Sequence, residues 1–498
     1  MDIAVSNAEP TLHISYWLQN RALDLPPLDT FLMPSLRRRK PISPARSPQS
    51  ALIRHASGLS RRSHVTRSGH FSPLARMGWI GAASLYAVAA LLTCAPAQAA
   101  DSWAYQDLGT LGGTFVGPMA ARLTGVGIGQ AFTAQGGTNA FVYSGGGIAD
   151  LGTLGGSSAS AFYVNAAGTV AGQSFTPGNA ANHAFVYVGG KVTDIGTLGG
   201  SNSYVTGLNS AGEVAGYSEV RGNVGTHAFF FSGGKLNDLG TLGGSSSTAA
   251  AINDAGQVVG SAYTANDASS HAFLTRVGGS MRDLGTLGGA SSFATAVNAA
   301  GVVIGDSFLA NNSSRHAFAY EDGRMIDIGT LGGSNSTAVA INRAGQVIGN
   351  ADVTGNTATH AFLFGNGTLT DLGTLGGSNS VALGLNSYGQ VIGTSDIAGD
   401  TAQHAFVYRD GKMFDLSAFL PGLTSFVVAG INDAMQVIGS AVSKSGLVRG
   451  LIVSAVPEPD GATVALTGMG ALVALARWRA RKARLALRRG VPDFLMGY

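Results

Sequence analysis

A seven-residue phrase, Asp-Leu-Gly-Thr-Leu-Gly-Gly, opens at Asp107 and keeps returning. Its aspartate recurs, followed by Leu or Ile, at Asp150, Asp194, Asp238, Asp283, Asp327 and Asp371, and in a shortened Asp-Leu-Ser copy at Asp415. Successive copies lie 43 to 45 residues apart. A fixed period of that size constrains the fold more than any other feature of the chain. One supersecondary unit per period buries its apolar face only by stacking on its neighbours. Residues 101–456 therefore form one repetitive body rather than several unrelated domains.

The unit is not helical. The chain holds 73 glycines and only 12% charged residues, and each glycine weakens a helix interior by roughly 1 kcal/mol. Within one period, four short apolar runs alternate with four turn signals. In the copy around Asn253, strands are expected at Ala249–Asn253 (A) and Gln257–Ser261 (B), joined by a type I turn at Asn253-Asp254-Ala255-Gly256. A third strand (C) starts at His271-Ala272-Phe273, and a fourth (D) returns from Met281 to Leu284. The C–D turn often ends in glycine, as in Gly189-Gly190, Gly233-Gly234, Asp322-Gly323, Asn366-Gly367 and Asp410-Gly411. Such pairs supply the positive φ of tight hairpins. Four antiparallel strands per unit are the content of one β-propeller blade.

The ends of the array complement each other. The body opens on a lone D strand, Ala104–Leu108, and closes on A near Val427–Asn432, B at Gln436–Ser440 and C at Arg449–Ser454, with no D of its own. The first strand is the missing partner of the last three, a clasp that removes exposed edges. The expectation is an all-β propeller of about eight four-stranded blades, closed by the N-terminal strand. The alternative is an open β-solenoid. The first unit is the most degenerate, with Leu123–Gln130 in the A/B place and Asn139-Ala140-Phe141 where other units have His.

The B–C connections, such as Glu219–Thr226, Tyr263–Ser270 and Asp352–Thr359, are longer than the other turns and vary between copies. They are expected to share a face with the Thr-Leu-Gly-Gly crossovers and to be where recognition sits. Six histidines recur at one position: His183, His227, His271, His316, His360 and His404. They could ring a metal. Hairpin spacing favours a structural pairing of each with the aspartate of its own hairpin: Asp194, Asp238, Asp283, Asp327, Asp371 and Asp415. The phenylalanines two residues on, Phe185 to Phe406, read as packing between units. Gly305-Asp306-Ser307 resembles a hydrolase nucleophile, but Gly172-Gln173-Ser174 and Gly216-Tyr217-Ser218 fill the same slot, so the serine marks a strand end. Glu219, Asp267, Asp306, Asp352 and Asp396 come from different units and show no pairing of the kind that acid–base work on sugars needs. With no phosphate loop, zinc motif or cysteine cluster, no cofactor, metal or catalytic residue is expected.

The flanks carry targeting signals. Residues 1–100 hold 11 Lys/Arg against 4 Asp/Glu, and 457–498 hold 7 against 3, leaving a body with 13 basic and 21 acidic residues. An acidic body argues against nucleic-acid binding. Residues 1–76 are Arg-, Ser- and Pro-rich and read as a disordered basic extension, or as sequence upstream of a true start at Met33 or Met77. Residues 77–100 fit a signal peptide: a basic flank, an apolar stretch from Trp79 to Leu92, and Ala97-Gln98-Ala99 as the cleavage site. A lipoprotein signal at Leu91-Leu92-Thr93-Cys94 is the alternative. Cys94 is the one cysteine, so its removal leaves a body without disulfides. After the body come Val456-Pro457-Glu458-Pro459, the apolar stretch Ala462–Ala476 and the basic cluster Arg477, Arg479, Arg481 and Lys482, then a tail, 483–498. Fifteen apolar residues make about 22 Å of helix against about 30 Å of hydrocarbon, a short transmembrane helix suited to transient anchoring.

Two resemblances follow. The His-Ala-Phe phrases, the Asp-Leu-Gly-Thr-Leu-Gly-Gly phrase and Ile-Asn-x-x-Gly-Gln-Val-x-Gly together resemble the HAF-repeat family of extracellular bacterial proteins. That likeness implies export and assigns no biochemical activity. The segment 457–482, with Val456 before it, is similar to a PEP-CTERM sorting signal. This implies an exosortase as processing partner, passage through the inner membrane, and delivery to the cell surface or an exopolysaccharide matrix. The combined expectation is a monomeric, non-catalytic binding or scaffold body in a biofilm matrix. The alternative is a secreted glycan hydrolase or lyase.

Overall fold

In the computed structural model the residues described are 103–120, 125–310, 312–456, and 477, 478 and 481. The chain divides into Met1–Ala90, which lies outside them, and Leu91–Tyr498, which holds every strand. The signal segment with Ala97 and Ala99, and Pro457, Glu458, Pro459, Arg479, Lys482 and the stretch 462–476, also lie outside the described residues. Val456 follows the last strand, and Arg477 and Arg481 are helical. Among the described residues no helix is long and apolar enough to cross a membrane.

The period resolves into four antiparallel strands in the order A–B–C–D. In the third unit these are Gly199–Leu208, Val214–Val220, Thr226–Ser232 and Lys235–Asp238. The described residues form six such four-stranded sheets and one eight-stranded sheet. In the eight-stranded sheet the first unit (Gly112–Ala120, Gly127–Thr133, Thr138–Ser144, Gly147–Gly152) and the last (Leu423–Ile431, Gln436–Ser443, Val448–Ala455) touch through one parallel pair, Phe115 with Val448. The opening strand, Trp103–Asp107, completes the last unit, antiparallel to Val448–Ala455, with Trp103 opposite Ala455 and Asp107 opposite Leu451. Trp103 packs against Leu451 and Val453, and Leu108 joins Val116 and Phe141 of the first unit to Ile438 and Ile452 of the last.

The A strand differs most from the sequence reading. In six of the eight units the A strand begins at the Gly-Gly of the crossover, as at Gly243–Ile252 rather than Ala249. It is bulged, with register shifts between Gly243 and Ser247 and between Ala249 and Ala251, which blur its alternation. In the first unit, accordingly, A is Gly112–Ala120 and lies before Leu123.

The core is built between sheets. Phe229 of the third unit is fully buried among Ala171, Ala184 and Val186 of the second, and Phe273 packs on Ala215 and Ala228 of the third. Burying one such ring is worth about 2–3 kcal/mol. It needs a bare glycine on the neighbouring B strand: a Cβ on Gly216 would lie 2.0 Å from the Tyr204 carbonyl and 2.5 Å from the Phe229 ring. The C–D hairpins close as expected, with φ of 57° and 88° at Gly189-Gly190 and 50° and 78° at Asp322-Gly323.

Candidate functional site: the loop face

Each D strand ends beside the start of its own C strand, at the edge where the B–C loops lie. His183 Nδ1 is 2.8 Å from Asp194, His227 2.9 Å from Asp238, His271 2.8 Å from Asp283, His316 2.9 Å from Asp327, His360 2.9 Å from Asp371 and His404 2.7 Å from Asp415. The aspartate has a second task. Its Oδ1 accepts the amide N–H of the glycine two residues on, at 2.7 Å for Asp194–Gly196 and 2.8 Å for Asp238–Gly240, capping the turn into the crossover.

The rest of the phrase is committed in the same way. The residue after Asp is buried, as Ile195 and Leu284 are. The threonine hydroxyl of Thr197 accepts the Gly199 N–H at 3.2 Å and donates to the Gly200 carbonyl at 2.8 Å. Gly199 sits at φ 100°, and a Cβ on Gly200 would stand 2.5 Å from the Glu219 Cβ. Every residue of the repeated phrase thus has a structural partner.

The partner of the aspartate is exchangeable. In the first unit Asn139 Nδ2 donates to both oxygens of Asp150, at 3.0 and 2.8 Å. In the last, Arg449 holds the His position and donates to Asp107 at 3.3 Å.

The B–C loops are less variable than their sequences imply. Five residues separate B from C in the third, fourth, fifth, sixth and seventh units, for example 221–225. From the second unit to the seventh, an Asn or Asp with positive φ recurs: Asn179, Asn223, Asp267, Asn312, Asn356 and Asp400. Its side-chain oxygen accepts the N–H that follows the Gly-Gly of its own sheet, as from Ser201 to Asn223 at 3.0 Å and from Ser334 to Asn356 at 2.7 Å. The expectation of variable loops is corrected for this reason: side chains differ, but one cap fixes the backbone. Bonds from Ser378 hold the exposed Asp400 carboxyl below its ordinary range.

The loop-face acids are engaged within their own sheets. Glu219 accepts from Asn202, Asp352 from Asn335 and Thr359, and Asp396 from Asn379. Asp306 is buried and bonded to Arg315. Burial pushes its carboxyl up, and Arg315 pulls it back in part. Ser307 Oγ accepts the Leu287 N–H at 2.8 Å, a crossover bond also made by Ser218 to Leu198. Among the described residues no three His, Cys, Asp or Glu side chains cluster as metal ligands would.

Sequence reasoning missed a ladder on the opposite face. The turn asparagine between A and B uses Oδ1 for its own turn, as Asn253 does for Ala255 and Gln257 at 3.0 Å each. Its Nδ2 reaches the backbone carbonyl of the same asparagine one unit on: Asn165 to Asn209, Asn209 to Asn253, Asn253 to Asn298, Asn298 to Asn342, Asn342 to Asn386 and Asn386 to Asn432, at 2.9 to 3.3 Å. The signal was the asparagine recurring at one turn position.

No family model and no curated protein matches the chain. Solved structures similar to it match at very low identity, among them a β-propeller domain. The β-propeller domain of the Trilobed protease from Pyrococcus furiosus, with an open velcro topology, aligns at TM-score 0.41 and 9% identity over 60% of this chain and 96% of that one. Dipeptidyl peptidase 4 of Porphyromonas gingivalis aligns at 0.42 and 10% over 64% of this chain and 56% of its own length. YCF48 bound to D1 peptide aligns at 0.35 and 10% over 74% and 99%. The described residues form an all-β array of antiparallel sheets, four strands to a unit.

Proposed function

We propose that the body is an eight-bladed, non-catalytic binding or scaffold propeller, exported by the segment 77–100 and sorted by an exosortase acting at 457–482. It is then released to the cell surface or a polysaccharide matrix. Two features support the ring: eight A–B–C sets, and an N-terminal strand that supplies the fourth strand of the last. The export route rests on the sequence signals and on the HAF-repeat and PEP-CTERM resemblances.

The observation that carries the non-catalytic reading is the commitment of the repeated polar residues. The His/Asp pairs, turn caps and loop-face acids are bonded within their own sheets, leaving a regular rim on which other side chains vary. Such a rim suits recognition better than bond cleavage. The test is a glycan-retention assay with the exported protein, followed by product analysis. Retention with no product is expected; turnover overturns the reading in favour of a glycan hydrolase or lyase.

A further inference from the structure

The rim pattern changes in the first unit. Between the first and second units lies an open cleft of about 830 Å³, walled by Thr133, Gln135, Asn139, Asp150, Thr153 and Ser157. That volume falls in the range of small-ligand sites. Two sequence departures account for it. The B–C loop of the first unit, 134–137, is one residue shorter than the five-residue loops and lacks their left-handed Asn or Asp cap. In addition, Asn139 replaces histidine. In the second unit the His183 ring spans from Asp194 to the Ser201 carbonyl, with Nε2 at 3.2 Å. The shorter Asn139 amide reaches Asp150 and leaves the space of the ring open.

The walls are unlike those of a metal or anion site. One exposed carboxylate, two carboxamides and three hydroxyls offer donors and acceptors together, with no cationic side chain among them. Side chains that both donate and accept match the hydroxyl rim of a pyranose, whose groups do the same. We infer that this cleft is a binding site for a neutral hexose unit of a polysaccharide, with Asn139 and Asp150 bonding its hydroxyls. This rests on the proposed recognition role of the loop face and gives it one address.

The test is a restoration. Asn139→His installs the residue used by six other units, so its pair with Asp150 is retained while the ring refills the cleft. The protein purified from cells expressing the full chain, wild type and Asn139→His, is applied to an array of glucose, mannose and galactose oligomers beside uronate oligomers. The expected result is retention of a neutral oligomer by the wild type, weakened at least tenfold by Asn139→His with an unchanged circular dichroism spectrum and melting curve. Equal retention by both proteins overturns the cleft and leaves loop-face recognition standing. Preference for uronates overturns the ligand class. No retention of any glycan overturns the cleft together with the polysaccharide reading.

Discussion

The six four-stranded sheets and the eight-stranded seam solve the same structural problem with different side chains. From the second to the seventh unit the aspartate of the repeated phrase is paired with histidine; at the seam it is paired with Asn139 or Arg449. What survives at both places is the aspartate. In the first unit as in the third, its oxygen accepts the glycine N–H that starts the crossover, at 2.7 Å for Asp150–Gly152 and 2.8 Å for Asp238–Gly240. The difference teaches that the crossover needs the carboxylate, and that the carboxylate needs only some donor. The seam is also where the rim departs from its pattern, with a shorter loop and the tilted Phe115 and Phe132 rings 5.0 Å apart.

The comparison breaks most severely if the seam is cut. Deleting Trp103–Asp107 removes the buried Trp103 side chain and bares the edge of Val448–Ala455. The expected loss is about 3–5 kcal/mol, a fall in melting temperature on the order of 10 °C, with concentration-dependent association through the open edge. Calorimetry and light scattering read both. A smaller effect is expected inside the array. Asn253→Ala removes the acceptor of two turn amides and the donor to Asn298, at about 2–3 kcal/mol by denaturant melting.

Partner exchange sharpens the contrast further. Asp238→Ala uncaps Gly240 and should cost about 1–2 kcal/mol, whereas His227→Asn, copying the first unit, should stay within about 0.5 kcal/mol of wild type. Equal costs would contradict the claim that the carboxylate matters more than its partner. The smallest expected signal is a slope with pH. The Asp306 carboxyl is raised above its ordinary 3.8 by burial, so the unfolded chain ionises there first. Its contribution to stability therefore falls as pH rises from that value through the raised pKa. Asp306→Asn should flatten the melting temperature across that window.

Much of this fold was legible in sequence because its signals are local. Turn pairs such as Gly189-Gly190 name their hairpin type, and the complementary ends of the array point to the strand that joins them. What escaped depends on distance. Asn253 reads as a turn residue, and nothing nearby shows that its amide spans 45 residues to Asn298. The loops looked variable because Asn223 and Asp267 differ in type while filling one left-handed position. The cleft was hidden because an asparagine in place of histidine reads as decay until the missing ring volume is seen.

The pairing of the first strand with the last is the claim on which the proposed ring depends. Outside Cys94 the chain has no cysteine, and Ala104 stands opposite Ser454 in the register of the clasp. The doubly substituted Ala104→Cys, Ser454→Cys protein, on a Cys94→Ser background, should form one intramolecular disulfide on oxidation and remain monomeric, as intact mass and non-reducing gels would show. Free thiols, or disulfide-linked dimers in its place, would contradict a body closed on itself.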